Sequence, residues 1–335
     1  MPAPRCRRCP LAAALRRPRT SEPLCRRCFL QAFEDEAFQT PSPGSSVAIA
    51  ASGGKDSSVL AHLLARLNGR LGGGAGEGRG VASGGRGYRF LLLSVDEGIA
   101  GYREAALGAV RGARGGLPLL LLSHRQLFGW SVDELGAAGL ARGGSRCTFC
   151  GVFRRQALER GARALGVDWI ATGHNADDIA ETLLMNLLRG DVARLRRAAS
   201  EATRKPPGAT TVPRLKPLRH CYEKEIVLYA HYQGLTYVST ECLYAPHAFR
   251  GHPRGLLKEL EATRSSSVAA LGHSSRALAV ASQVASKGLG ACGRCGFASS
   301  QGLCKACVLL AALEKGRPKV GLGKRGEPSP GPGCR

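Results

Sequence analysis

The sequence is organised around the stretch SVAIAASGGKDSSVLAHLLARL, residues 46–67. Residues 46–51 predict a short buried strand, and the residues after the glycines place valine and leucine side chains at helical spacing. The two glycines therefore stand at a turn from strand to helix, where the backbone can bend tightly and approach a ligand closely. The free N–H groups and the dipole of the new helix favour an anion at this turn.

The turn also carries polar side chains that suit phosphate. A lysine adds positive charge and serines add hydroxyl donors, so we predict a phosphate-binding loop formed by Ser52, Gly53, Gly54, Lys55, Asp56 and Ser57. The Gly-x-x-x-x-Gly-Lys-Ser/Thr spacing of the common nucleotide hydrolases does not occur in the sequence. The loop instead resembles the pyrophosphatase loop of ATP-dependent adenylating enzymes. A plain glycine turn is the alternative interpretation.

The overall charge indicates a polyanionic partner. The 335 residues carry 48 lysines and arginines against 25 acidic residues, a formal net charge of +23. This balance favours nucleic acid over a membrane surface, and a solvated, arginine-rich surface is the simpler alternative. The sequence has no apolar run of the ~18 residues that a membrane-spanning helix needs, and its apolar N-terminal run is too short for a signal peptide. We therefore expect a cytoplasmic protein that binds nucleic acid.

Most of the 13 cysteines occur in Cys-x-x-Cys pairs, a pattern typical of metal binding in a reducing compartment. Two pairs near each end of the chain have the spacing of structural Zn²⁺ sites with four thiolate ligands. The predicted zinc ligands are Cys6, Cys9, Cys25 and Cys28 in one set and Cys292, Cys295, Cys304 and Cys307 in the other. Free buried thiols are the alternative interpretation.

Strand and helix patterns alternate through the middle of the chain, which predicts an α/β fold with a doubly wound parallel sheet. Within this part we expect the Cys147–Cys150 pair to precede a helix that begins at Val152, and residues 213–218 to be extended. The expected domains are an N-terminal zinc-binding module (1–40), an ATP-binding catalytic domain (41–264) and a C-terminal linker with a zinc ribbon (265–316). A glycine-rich insert (69–87) and the tail (317–335) are expected to be disordered.

Ligands of open α/β sheets bind beyond the carboxyl ends of the strands. The phosphate loop, Asp96 and the turn TGHNADD (172–178) all follow predicted strands, so we expect them on one rim. Asp177 and Asp178 suit a Mg²⁺ ligand or an orienting carboxylate near the phosphates, and they also suit the cap of the following helix. His174 is either a donor to phosphate or a member of a structural hydrogen bond.

Three cysteines outside the zinc sets form a second candidate centre. Cys147 and Cys150 make a further Cys-x-x-Cys pair, and Cys242 lies far along the chain. Three thiolates leave an open position, so one hypothesis is a [4Fe–4S] cluster with one iron free to bind sulfur. A persulfide and disulfide relay through the same thiols is the second hypothesis. A silent turn with a core cysteine is the third, and the sequence alone leaves all three open.

Five motifs in order carry a closer resemblance. They are SGGKDS (52–57), CTFCG (147–151), TGHNADD (172–178), PRLKPL (213–218) and ECLYAP (241–246), flanked by the two zinc sets. This layout resembles the cytoplasmic tRNA 2-thiolation proteins, the catalytic subunits among the pyrophosphatase-loop tRNA thiolases. The resemblance covers about residues 1–320. It implies a sheet of the adenine-nucleotide alpha-hydrolase-like type flanked by two zinc ribbons.

The resemblance also implies a reaction. A family member transfers AMP from ATP to the C2 oxygen of uridine 34 in tRNA, and then replaces that oxygen with sulfur from the thiocarboxylate of a ubiquitin-like carrier. It implies that Asp178 assists in the catalytic centre and that Cys147, Cys150 and Cys242 are the central cysteines. The implied partners are the tRNAs for lysine, glutamate and glutamine, the carrier, and a homologous non-catalytic subunit.

Some features depart from the family pattern, and other functions stay open. Residues 69–87 and 191–212 look unlike compact loops, and Arg154 stands where related bacterial and archaeal members carry lysine. A 2-thiocytidine or lysidine enzyme would also adenylate a tRNA base, although the lysidine type needs no central cysteines. A non-enzymatic zinc-ribbon scaffold for nucleic acid would share the charge and the zinc sets, but it would not need the phosphate loop.

Overall fold

The computed structural model of the protein describes residues 4–37, 44–70, 87–140, 145–192, 194–195, 211–240, 242–277 and 288–315. The tail predicted to be disordered (317–335) and residues 71–86 of the predicted insert lie outside these residues. Gly69 and Arg70 belong to the end of a helix, where the Arg70 guanidinium pairs with the Glu34 carboxylate.

The N-terminal module is a small ribbon followed by a helix. Strands β1 (Leu15–Arg16) and β2 (Pro23–Leu24) pair in antiparallel fashion, and helix α1 (Arg26–Ala37) follows directly. Phe33 of α1 is fully buried and stacks on Tyr229, with the two ring centroids 4.7 Å apart. The module therefore shares its core with the middle of the chain.

Five parallel strands form the central sheet. They are β3 (Ser46–Ala50), β4 (Arg89–Asp96), β5 (Leu119–Ser123), β6 (Trp169–Ala171) and β7 (Arg214–Leu215). The strand order is β5-β4-β3-β6-β7, and each neighbouring pair is parallel. The chain winds outward from β3 on one side and then crosses to the other, so the switch point lies between β3 and β6. The predicted doubly wound sheet is confirmed, and the PRLKPL motif supplies its edge strand.

The helices described after α1 lie around this sheet and beyond it. In chain order they are α2 (Lys55–Arg70), α3 (Arg103–Gly112), α4 (His124–Phe128), α5 (Val132–Ala137), α6 (Ser145–Ala164), α7 (Ala176–Leu188), α8 (Glu223–Gln233), α9 (Gly251–Thr263), α10 (Ser267–Ala277) and α11 (Lys305–Glu314). None of the helices in the described ranges is long and apolar enough to cross a membrane.

Side chains of the central strands alternate between two buried faces. Val47 and Ile49 of β3 share a core with Leu60 of α2, whereas Ala48 between them shares a second core with Leu158 of α6. Helices thus cover both faces of the sheet, and the carboxyl ends of its strands are left for the loops of the site.

Helix α6 begins earlier than predicted. We expected a helix from Val152, but α6 starts at Ser145 and contains both Cys147 and Cys150. The prediction was wrong because Gly151 suggests a turn, since a glycine inside a helix is unfavourable by about 0.5–1 kcal/mol. Burial of Phe149 and Phe153 on the same helix offsets that cost. Residues three apart on a helix are neighbours on its surface, so the two thiols lie on one side of α6.

The C-terminal module is a second ribbon. Strands β8 (Gly290–Ala291) and β9 (Ala298–Ser299) pair in antiparallel fashion and precede α11. Its buried residues Cys304 and Leu309 belong to the same apolar cluster as Phe153 of α6. The two predicted zinc-ribbon modules thus flank the sheet, and the second one packs against the helix that carries two central cysteines.

Candidate active site

The phosphate loop has a backbone that glycine alone accommodates. Gly53 has a φ of +80°, and a Cβ atom there would lie 2.4 Å from the carbonyl oxygen of Ala106. The Ser57 hydroxyl accepts a hydrogen bond from the Ser52 N–H (3.2 Å) and donates one to the Gly54 carbonyl (2.9 Å). These bonds close the loop over the start of α2 and fix its backbone.

The loop after β6 lies directly against the phosphate loop. A Cβ atom on Gly173 would lie 3.1 Å from the carbonyl carbon of Asp56, so the two backbones are nearly in contact. Asn175 caps α7 by accepting a hydrogen bond from the Asp178 N–H (2.9 Å), and its amide donates to the Asp56 carboxylate (3.1 Å). The two loops that the sequence places on one rim therefore meet at the switch point of the sheet.

Lys55 is held by acidic side chains. Its Nζ atom lies 2.7 Å from a Glu223 carboxylate oxygen and 3.6 Å from Asp56. Burial opposes the charged form, but these two carboxylates outweigh it and raise the pKa of Lys55. Burial likewise disfavours a charged Glu223, but Lys55 and Lys258 bring the pKa of Glu223 down to about 2. The Glu223 carboxylate therefore pairs with the Lys55 ammonium in the way that a phosphate oxygen would.

The two predicted aspartates have different surroundings. Asp177 is buried, and its two carboxylate oxygens accept from the Lys258 ammonium and the Glu223 N–H at 2.9 and 2.8 Å. Asp178 is a quarter exposed and accepts from the Asn175 N–H (3.3 Å) and from Arg250 (3.1 Å). Burial raises the pKa of Asp178 even though Arg250 opposes the shift. Asp178 is thus the member of the pair with access to a ligand.

A row of cations that was not predicted from the sequence lies opposite these acids. Arg250 and Arg254 both bind the buried Glu181 carboxylate, at 2.7 and 2.9 Å, and Lys258 binds Asp177. The three cations follow each other at intervals of four residues, which places Arg254 and Lys258 on one face of α9 next to its N-cap residue, Arg250. This spacing, facing acids at similar spacing on α7, is the sequence signal that could have revealed them.

His174 is a neutral group in this site. Burial, with help from Lys216, Arg250 and other nearby cations, lowers the pKa of His174 to about 4. Its Nδ1 atom lies 2.9 Å from the Thr172 hydroxyl, so a structural hydrogen bond is present. An uncharged imidazole still offers one N–H donor, and a contact to phosphate stays a prediction.

The three central cysteines share one neighbourhood. Cys150 packs against Ile99 and Val132, and Cys242 packs against the same cluster. The Cys147 thiol donates to the Tyr244 carbonyl at 3.4 Å. This contact joins α6 to the segment that carries Cys242, although the two are far apart in sequence. The structure thus brings together thiols that the sequence could not place in space.

Two of the central thiols, Cys147 and Cys150, have raised pKa values, and Arg154 lies beside Cys150. Burial raises the pKa of Cys150 to about 11, against the opposing charge of Arg154, and burial together with Cys242 raises that of Cys147. The Arg154 guanidinium lies 3.5 Å from the Cys150 sulfur and 2.6 Å from Glu97, which follows β4. A cation in this place would favour a thiolate on Cys150.

The sulfur atoms of the central cysteines are not gathered to the distances of a closed ligand set. Among the described residues, the groups whose sulfurs all lie within 4.8 Å of one another are the two predicted zinc sets. Four thiols at such distances suit Zn²⁺. The central three suit a different group by their number, since three thiols around a cubane cluster leave one iron without a protein ligand.

The fold and the rim define a class of protein. A phosphate loop at the switch point of a five-stranded parallel sheet, with zinc ribbons on either side, is a PP-loop ATP-binding enzyme of the pyrophosphatase type. Family models agree: the chain matches a PP-loop domain over residues 149–255 and a zinc-ribbon over residues 290–321.

Relatives narrow the class. Cytoplasmic tRNA 2-thiolation protein 1 of Anopheles gambiae is 50% identical over 331 residues, which cover 97% of this chain and 93% of that protein. The protein of that name from Danio rerio is 49% identical over 318 residues, 93% of this chain and 89% of that protein. The chain therefore belongs to the cytoplasmic tRNA 2-thiolation protein 1 family.

A solved structure agrees with this assignment. The U34-tRNA thiolase NcsA from Methanococcus maripaludis, determined with its [4Fe-4S] cluster, is 26% identical to the chain with a TM-score of 0.77. The match covers 93% of this chain and 97% of the thiolase. The similarity thus extends over most of both chains.

Proposed function

We propose that this protein is an ATP-dependent tRNA sulfurtransferase that 2-thiolates uridine 34. The observation that carries the proposal is the segment of residues 242–250, which joins the two halves of the site. Near one end Tyr244 accepts from the Cys147 thiol, and at the other end Arg250 binds Asp178 beside the phosphate loop. A thiol centre and a nucleotide centre connected by one short segment suit adenylation followed by sulfur transfer.

The first half-reaction uses the phosphate loop. Residues 52–57 bind the β,γ-phosphates of ATP, and Lys55 exchanges Glu223 for phosphate oxygens. The C2 oxygen of the uridine attacks the α-phosphorus, the bond from that phosphorus to the β-phosphate oxygen breaks, and pyrophosphate leaves. Asp178 orients the reacting groups or a Mg²⁺ ion, with Asp177 as the second predicted ligand. The ion pair of Asp177 with Lys258 favours Asp178 in this role.

The second half-reaction uses the cysteines. A sulfur nucleophile adds at C2 of the adenylated uridine, the C2–O bond breaks, and AMP leaves with the original oxygen. Cys147, Cys150 and Cys242 would hold a [4Fe–4S] cluster, whose open iron binds sulfur when the cluster is present. The alternative is a persulfide on one of these cysteines, which requires a donor of sulfane sulfur; a second cysteine then forms a disulfide with the first as the outer sulfur passes to the uridine, and an external thiol reduces that disulfide. Arg154 favours the thiolate of Cys150 in both schemes.

The partners follow from charge and resemblance. The net charge of +23 suits tRNA, and the resemblance adds the tRNAs for lysine, glutamate and glutamine, a ubiquitin-like sulfur carrier, a homologous non-catalytic subunit and a cytoplasmic location. Exposed arginines of the N-terminal module are the proposed phosphate contacts, among them Arg5, Arg7 and Arg8. Arg17 is excluded from this face because it is buried between Glu36 and Glu225.

The proposal also assigns the two zinc sites and the limits of the domains. Each four-cysteine set binds one Zn²⁺, and the domain limits are those predicted, 1–40, 41–264 and 265–316. The sets differ from the central cysteines in having a closed donor set, so the zinc ions are structural.

The test combines two products in one assay. Purified protein receives ATP, a sulfide source and tRNA with an unmodified uridine 34, and both pyrophosphate and 2-thiouridine are measured. The proposal expects pyrophosphate release that depends on tRNA and sulfur at uridine 34. Release with sulfur on a cytidine, or with lysine attached, would favour another base-adenylating enzyme. Binding of tRNA without any pyrophosphate release would favour a scaffold. Steep weakening of tRNA binding with salt is expected, since phosphate contacts release counterions.

A further inference from the structure

An exposed aromatic side chain lies at the mouth of the site. Phe249 is 42% exposed, whereas most of the other phenylalanines in the described residues are buried. The Arg189 guanidinium covers part of its ring, with the guanidinium carbon 4.8 Å from the ring centroid. His252 approaches the same ring edge-on, with centroids 6.0 Å apart. Aromatic rings and arginine guanidinium planes are the groups on which proteins stack unpaired bases.

The segment that carries this ring is firmly held. Successive turn hydrogen bonds run along it, from the Ala245 N–H to Cys242 (2.8 Å) and from the Ala248 N–H to Ala245 (2.9 Å). The Tyr244 hydroxyl donates to Asp133 at 2.7 Å, and Arg146 stacks on the Tyr244 ring at 4.7 Å. A rigid support gives the exposed ring a fixed direction, so little ordering is needed when a base stacks on it.

The ring also has a fixed place relative to the chemistry. The next residue, Arg250, binds Asp178 (3.1 Å), Glu181 (2.7 Å) and the Thr182 hydroxyl (3.2 Å). Phe249 therefore lies one residue from the contact to the proposed catalytic carboxylate, on the segment that supplies the third central cysteine. If a nucleotide reacts at this carboxylate, the adjacent nucleotide of the RNA strand would lie within reach of the ring.

The surroundings favour RNA as the occupant. Arg189 lies over the ring, and the whole chain carries a net charge of +23, which complements a phosphate backbone. Leu187 and Leu188, 46% and 68% exposed, directly precede Arg189 and add exposed apolar area at the end of α7. Apolar and cationic groups together around one aromatic ring are typical of sites for single-stranded nucleic acid.

We infer that Phe249 and Arg189 form a stacking platform for the unpaired base next to the reacting uridine. The inference rests on the proposed tRNA substrate and adds the surface that positions it. A base enters the reactive site out of its stack, which is unfavourable unless its neighbours are held elsewhere. The platform holds one such neighbour, so uridine 34 can turn towards Asp178 and the cysteines.

The test uses an anticodon stem–loop RNA with 2-aminopurine next to uridine 34. Affinity and 2-aminopurine fluorescence are measured at constant salt for the unchanged protein, Phe249→Leu, Phe249→Tyr and the control Leu303→Ala. Leu303 is also 42% exposed, but it lies on the C-terminal ribbon. We expect Phe249→Leu to weaken binding about tenfold and to abolish the fluorescence quenching, because each stacked base contributes substantially to affinity. Phe249→Tyr keeps a ring and should behave like the unchanged protein.

The outcomes separate the inference from the proposed function. Zinc content and melting temperature report whether each variant is folded. Unchanged RNA affinity and unchanged quenching in folded Phe249→Leu would overturn the platform but not the proposed function. The same holds if the variant binds RNA normally but binds a protein sulfur donor more weakly. Failure of the unchanged protein to bind the stem–loop at all would overturn the proposed function and the platform with it.

Discussion

The phosphate end and the thiol end of the site are built differently. At the phosphate end, Lys55, Asp177 and Glu223 all have charged partners within 3 Å, and the glycine loop is closed by its own serines. At the thiol end, Cys150 has a raised pKa of about 11 and one cation, Arg154, at 3.5 Å. The first end is held by charged contacts within the chain, whereas the three sulfurs of the second do not all lie within 4.8 Å of one another.

This difference suits a division of the proposed reaction into two steps, adenylation at the phosphate end and sulfur transfer at the thiol end. A preformed loop costs little reorganisation when ATP binds, so adenylation can proceed on a rigid surface. In the proposed function, the thiol end uses either iron and sulfide or a sulfur atom carried as persulfide. The two half-reactions should therefore be separable by mutation.

The substitution with the largest expected effect on activity removes a thiol from the thiol end and leaves the phosphate end unchanged. In Cys150→Ser we expect sulfur incorporation to fall below detection while tRNA-dependent pyrophosphate release continues, because the phosphate loop does not use this residue. Both products are measured in the same reaction. Cys221→Ser serves as the control for the loss of a thiol outside the central three; this cysteine is fully buried, and burial raises its pKa. Loss of both products in folded Cys150→Ser would show that the ends are not separable.

The next effect removes the phosphate end. Lys55→Ala should lower pyrophosphate release by about 10²–10³-fold, since a preorganised group that stabilises developing charge is worth that much. Sulfur incorporation should fall in parallel, because the uridine is no longer activated. The exposed Lys315→Ala is the control. Normal pyrophosphate release in Lys55→Ala would contradict the role of the loop.

A third change tests the support of the phosphate end from the N-terminal module. Arg17 is 1% exposed and binds the fully buried Glu225 at 2.7 Å, two residues after Glu223. Arg17→Met leaves a buried carboxylate unpaired and should lower the free energy of unfolding by about 3–5 kcal/mol. Denaturant titration measures it.

The control for that change is a surface pair. Arg7 binds Glu22 at 3.4 Å with its side chain 71% exposed, so Arg7→Met should change the free energy of unfolding by less than about 1 kcal/mol. Equal effects of Arg7→Met and Arg17→Met would mean that the buried pair does not join the module to α8.

The smallest effect concerns the support of the thiol end. His124 is fully buried against Phe128 and Phe153, and its ring nitrogens have no hydrogen-bond partner among the described residues. Burial, together with Arg154, lowers the pKa of His124 to about 4. Between pH 4 and about 6.5 the unfolded chain therefore binds a proton that the folded chain does not, so this group makes stability rise with pH across that window.

His124→Leu should remove this contribution. The dependence of unfolding free energy on pH should become flatter by up to about 1.4 kcal/mol per pH unit between pH 4 and 6.5, one proton's worth. At neutral pH the variant should be no less stable, since it loses a buried polar group without a partner. An unchanged pH slope would show that the imidazole is not held neutral.

Much of the phosphate end could be predicted from the sequence because its signals are local. The glycine loop, the strand before it and the turn at residues 172–178 are contiguous patterns, and parallel strands bring their ends to one rim. The cap of α7 was also readable, since Asn175 and Asp178 have capping-box spacing. The cysteine spacing was enough to recover both ribbons.

What could not be predicted depends on contacts between distant parts of the chain. No motif separates Arg17 from the exposed arginines of its module, and its burial against Glu225 becomes visible only when the N-terminal module packs on α8. Glu223 and Phe249 carry no motif, and their roles come from the positions of Lys55 and Asp178 in space. The start of α6 was misplaced because packing of Phe149 and Phe153 overrides the local preference of Gly151.

The most direct test of the division between zinc cysteines and sulfur-transfer cysteines is a metal analysis with activity. Zinc, iron and acid-labile sulfide are measured after anaerobic purification in the unchanged protein and in a variant with Cys147, Cys150 and Cys242 all replaced by serine. We predict that the variant keeps two zinc ions per chain, one for each four-cysteine set, and loses sulfur transfer together with any iron and sulfide. Loss of a zinc ion, or sulfur transfer that persists in the variant, would contradict it.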